Sequence, residues 1–101
     1  MIEYMKVENG KIAIVPGPET ATIVHLVAPD STELDRISAL TSAPLDFLSA
    51  ACDKDERPRF ESDEGVNLLV LRVPHEDPTS DIPVITVAFG LVLTQSHIVS
   101  V

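Results

Sequence analysis

The chain has 101 residues, which is room for one domain and one core. Hydrophobic residues make up 45% of it, enough to build that core, but aromatics are 4% and Trp is absent, so the core must be aliphatic. A formal charge of −9 with no basic stripe excludes nucleic acid as a partner, disfavours anionic lipid and attracts cations.

In chain order, Ile2–Val7 mixes apolar and polar residues as a strand does. Asn9-Gly10 follows, the strongest short hairpin signal, because both residues tolerate positive φ. Ile12–Val15 is the return strand, and Pro16-Gly17-Pro18 breaks it. Ala21–Ala28 reads as a third strand with His25 inside it. A lone His in an apolar strand is a satisfied or edge residue rather than a metal ligand.

Asp30 and Glu33 form a capping-box pattern, with Ser31 the rival cap, that opens a helix running to about Leu40, with Leu34, Ile37 and Leu40 on one face. Ser42 or Ala43 opens a second helix with Pro44 in its first turn. Leu45, Leu48, Ala51 and Cys52 line its buried side, with Phe47 beside them. Cys52 is the single cysteine, so no internal disulfide forms; it reads as a small core hydrophobe.

A knot of charge, Asp53 to Arg59, ends this helix. Arg59–Ser62 starts a hairpin that turns at Asp63-Glu64-Gly65. Val66–Val73 returns from it, and its continuous apolar character predicts a central strand buried on both faces. Pro74–Pro83 reads as a loop and Val84–Thr94 as another buried strand. Thr94–His97 is a turn, and Ile98–Val101 the last strand. The longest apolar run, Ile82–Leu93, has a strand's length and not the roughly 20 residues of a membrane span. Met1–Val7 is too short and too charged for a secretory leader. Because the chain stops on a fresh apolar strand, the expectation is one domain, residues 1–101, belonging to a longer protein.

Catalytic patterns are missing from the sequence. It has no Gly-rich phosphate loop, no Cys-x-x-Cys and no His-x-x-x-His, and no Ser has an assignable His and acid. The expectation is a protein that is not an enzyme and requires no cofactor. His75-Glu76-Asp77 are adjacent on a loop and do not converge unaided. Asp53, Asp55 and Glu56 are hard oxygen donors that suit Mg²⁺ or Ca²⁺. The competing reading is a helix-to-strand corner in which Lys54, Arg57 and Arg59 pair with the same carboxylates.

Three runs together carry a resemblance: Pro44-Leu45-Asp46-Phe47-Leu48; Asp53-x-Asp55-Glu56-Arg57-Pro58-Arg59; and Leu68-Leu69-Val70-Leu71-Arg72-Val73-Pro74. Ile23–Pro29, Thr86–Thr94 and Ile98–Val101 agree in order. The set resembles the N-terminal cytosolic domain of CorA-type divalent cation transporters. The resemblance implies an α/β (α+β) fold: a mixed sheet of about six strands, two short helices between the third and fourth, part of an αβα sandwich. It also implies a longer protein with a stalk helix, two membrane spans and a Gly-Met-Asn pore motif. That protein would be a homopentamer at the cytoplasmic face of the membrane, conducting Mg²⁺ and sometimes Co²⁺, Ni²⁺ or Zn²⁺, with its cytosolic domains sensing Mg²⁺ between subunits. The family's acidic pair falls on Ser49 and Ala50, neither a carboxylate, which leaves Asp53, Asp55 and Glu56 as substitute metal ligands. The alternative is a free-standing α+β protein-interaction domain with no transport role.

Overall fold

The computed structural model describes residues 1–53, 55–76 and 84–101. Its elements are β1 (Ile2–Glu8), β2 (Lys11–Val15), β3 (Ile23–Leu26), α1 (Ser31–Thr41), α2 (Leu45–Cys52), β4 (Arg59–Asp63), β5 (Val66–Glu76), β6 (Val84–Leu93) and β7 (Ile98–Ser100). The strands form one seven-stranded sheet in the order β2-β1-β3-β7-β6-β5-β4. The expected mixed α+β sheet is present, with seven strands rather than about six and the two helices between β3 and β4.

Local chemistry explains both tight turns. Asn9 and Gly10 take φ of 53° and 75° between the closing pair Glu8 and Lys11. Glu64 and Gly65 take 48° and 83° between Asp63 and Val66. Positive φ at both central residues matches the right-handed strand twist, so each turn sets the register of its hairpin.

Helix α1 begins on the expected capping box. The Glu33 amide donates to Asp30 Oδ1 at 2.8 Å, and the Asp30 amide donates to Glu33 Oε1 at 3.2 Å. Ser42 closes the helix in the left-handed region, its amide donating to the Ser38 carbonyl at 2.9 Å. Asp30→Ala is expected to lower stability by about 1 kcal/mol, read as a shift in urea midpoint, whereas Asp30→Ser keeps most of it. An unchanged midpoint for the alanine variant would mean that the cap does not form in solution.

Three boundaries and one buried stripe differ from the sequence expectation. Strand β3 is four residues, not eight, because Ala28 turns to φ 44° ahead of Pro29 and Ala21 is drawn into a turn on the Pro18 carbonyl. Pro44 stands just before α2 rather than inside it. Strand β5 continues through Pro74 to Glu76, so the predicted loop starts later; its remainder, 77–83, lies outside the described residues, as does Asp77 of the His75-Glu76-Asp77 cluster. In α2 the buried residues are Phe47, Leu48, Ala50 and Ala51, while Leu45 is exposed. The stripe Phe47, Leu48, Ala50 and Ala51 packs into the core cluster beneath the helices, which leaves Leu45 on the outer side.

The sheet has two antiparallel halves, β2-β1-β3 and β7-β6-β5-β4. They join at a single parallel seam among the described residues: Ile23 beside Ile98, Val24 beside Val99, and His25 beside Ser100. Both helices lie on one face. There the core gathers Val24, Leu26, Ile37, Leu48, Leu68, Val70, Val92 and Val99, all essentially inaccessible to solvent. Gly90 marks the closest approach: a Cβ at this position would sit 2.4 Å from Ala51 Cβ and 2.7 Å from Ala51 Cα. Strand interiors favour Gly where another backbone comes this near.

Candidate functional site

Strand alternation sends every second side chain to the face opposite the helices. The registers align those residues in rows. Ile14, Met5, Ile23, Ile98 and Leu93 form one row across five strands. Leu91, Leu69 and Phe60 form part of the next, followed by Phe89 with Leu71 and Val87 with Val73. No helix among the described residues covers this face. Ile14 is 80% exposed, Phe60 63%, Ile98 43% and Leu71 41%. The expectation that β5 is buried on both faces is therefore corrected. Val66, Leu68 and Val70 are buried under the helices, while Leu69 and Leu71 on the other side are not. A continuous apolar patch on this scale is a signature of an interaction surface.

Two polar groups interrupt that face: Asn67 beside Leu93, which accepts from the Ser62 hydroxyl, and a notch further along. Glu3 on β1, His25 on β3 and Ser100 on β7 stand side by side. His25 Nδ1 is 2.8 Å from Ser100 Oγ. His25 is thus a satisfied strand residue, as its sequence context implied. His97 differs: its Nδ1 lies 2.7 Å from Ser96 Oγ, and its Nε2 is enclosed with no hydrogen-bond partner among the described residues.

The acidic corner after α2 is arranged mainly by its own backbone. Asp53 ends the helix in an extended conformation, and its Oδ1 accepts from the Asp55 amide at 2.9 Å. The Glu56 amide donates to the Asp53 carbonyl at 3.1 Å. Glu56 Oε1 lies 3.6 Å from Arg59 Nε, and Arg59 Nη1 lies 3.4 Å from Glu61 Oε1. Exposed pairs of this kind contribute little, in the range of about 0–1 kcal/mol. Asp53 and Asp55 face solvent, and Glu56 is half-buried. Among the described residues no three His, Cys, Asp or Glu side chains gather as a metal-binding group. Ser49 is exposed on α2, while Ala50 is buried against the core.

Cys52 is half-buried at the end of α2, and burial pushes its thiol above the ordinary range. Folding thus favours the neutral thiol. That stabilisation is complete below the thiol's unfolded value and is lost as pH rises through the folded one. Alkylation of Cys52 by iodoacetamide near pH 8 is expected to be slower in the folded chain than in urea. Equal rates would show the thiol to be open to solvent.

A separate surface cleft of about 430 Å³ forms where three turns meet, lined by Thr41, Ser42, Asp63, Glu64, Gln95 and Ser96 among others. It carries hydroxyls, an amide and two carboxylates, without a nucleophile–base pair.

The fold defined here is a mixed-sheet α+β domain with, among the described residues, helices on one face and an uncovered, largely apolar surface on the other. It is similar to the complete structure of the CorA magnesium transporter from Methanocaldococcus jannaschii, with a TM-score of 0.75 and 18% identity over 99% of this chain and 31% of that one. It is also similar to the soluble domain of CorA from the same organism, with a TM-score of 0.74 and 17% identity over 99% of this chain and 39% of that one. The chain therefore spans less than two fifths of the length of either structure. At such identities the likeness is one of fold. No family model matches the chain, and no curated protein matches it. No helix among the described residues is long and apolar enough to cross a membrane.

Sequence reading located the acidic corner and missed the helix-free face. Its signal was present in the run Leu68-Leu69-Val70-Leu71, where successive apolar residues point to opposite faces. The sequence cannot say that only one of those faces receives helices.

Proposed function

We propose that this chain is the cytosolic regulatory domain of a CorA-like protein that transports Mg²⁺, and that it acts in assembly and in cation-dependent gating. The observation that carries the reading is the likeness in fold to the CorA structures over 99% of the chain. The helix-free face supports it. In a longer protein, a second helical layer would cover Met5, Ile23, Leu69, Leu91 and Ile98 and complete an αβα sandwich. A helical layer removes that apolar area from water at about 25 cal/mol per Å². In this reading the domains assemble as a homopentamer, and Mg²⁺ bridges carboxylates of adjacent subunits. The −9 charge favours such bridging, because assembly crowds acidic surfaces that a divalent cation relieves. Asp53 and Asp55 are the exposed carboxylates of the acidic corner and Glu56 its half-buried one. Binding drives gating only if Mg²⁺ prefers one assembled state over the other. Co²⁺, Ni²⁺ or Zn²⁺ would pass by the same pore.

The test is the native polypeptide. An antibody raised against this chain should detect, in the membrane fraction, a protein roughly three times its length, in keeping with the 31% span. A soluble product of 101 residues would overturn the transporter reading and favour a free-standing interaction domain using the same face. For the gating half, Mg²⁺ titration of the membrane protein should change its protease sensitivity. The triple variant Asp53→Asn, Asp55→Asn, Glu56→Gln should shift that change to higher Mg²⁺. An unmoved titration removes these three residues from the proposal.

A further inference from the structure

We draw no further inference here: the strongest candidate, the apolar helix-free face of the sheet around Met5, Ile23, Leu91 and Ile98, already belongs to the proposed function, and nothing else in the structure shows what covers it.

Discussion

Replacing Gly90 with alanine is expected to destabilise the domain by about 3 kcal/mol, at the upper end of what overpacking a core costs. The added Cβ meets Ala51 Cβ at 2.4 Å, Ala51 Cα at 2.7 Å and the Ala51 carbonyl oxygen at 3.0 Å. Two of these three atoms are backbone, so no side-chain rotation relieves the clash. Helix α2 must lift from β6, and Phe47, Leu48 and Ala51 lose their packing with it. For a domain of this size the loss is a large share of a total stability of about 5–15 kcal/mol. Gly90→Val should leave no cooperative urea transition at all. The double variant Gly90→Ala, Ala51→Gly should recover part of the loss. It removes one of the three contacts but adds a helix-interior Gly, which costs about 1 kcal/mol by itself. If Gly90→Ala melts at the wild-type urea midpoint, α2 does not sit on β6 at this distance.

The second large effect separates the two faces of the sheet at adjacent residues. Val99→Asp is expected to unfold the chain, and Ile98→Asp to leave it folded. Val99 is fully buried at the seam between the sheet halves, beside Val24 on β3 and Val92 on β6. A carboxylate there has no partner and loses its hydration, a cost of several kcal/mol even after the group protonates. It also breaks the joint through which β2-β1-β3 holds to the rest of the sheet. Ile98 points the other way and is 43% exposed, so a carboxylate there stays in water. Circular dichroism and urea melts of the two purified variants read the contrast directly. Equal damage from both would place a covering layer over Ile98 in the isolated chain. Equal tolerance would mean that β7 is not paired as described. In the longer protein of the proposed function, Ile98→Asp should instead loosen the second helical layer, since it sets a charge in the middle of the apolar row that layer would cover.

Much of the fold was legible in the sequence because its signals act over a few residues. Asn9-Gly10 and Glu64-Gly65 set their hairpins through backbone φ, a property of the residues themselves. Asp30 and Glu33 cap α1 through side chains three positions apart. The acidic corner was legible as a corner: Asp53, Asp55 and Glu56 bond chiefly to backbone and side-chain groups within a few positions of themselves. Boundaries were less legible. Ala21–Ala28 looks like one strand until Ala28 turns aside before Pro29. Pro74 reads as a strand end, yet β5 runs through it opposite Thr86 of β6.

The sequence by itself determined the class of the protein. Its 45% of hydrophobic residues, periods of two and of 3.6, local caps and turns, and −9 charge specify an acidic, aliphatic α+β domain. Each of those properties is local or additive, so no partner residue needs to be known. Only the tertiary structure decided that β3 and β7, more than 70 residues apart, form the parallel seam. It also decided that Gly90 is the seat of α2 and that Leu69, Leu91 and Ile98 lie on a face that no helix among the described residues covers. These depend on which distant surfaces meet. An alternating apolar strand states that it has two faces to cover; the packing of the whole chain states which one is covered.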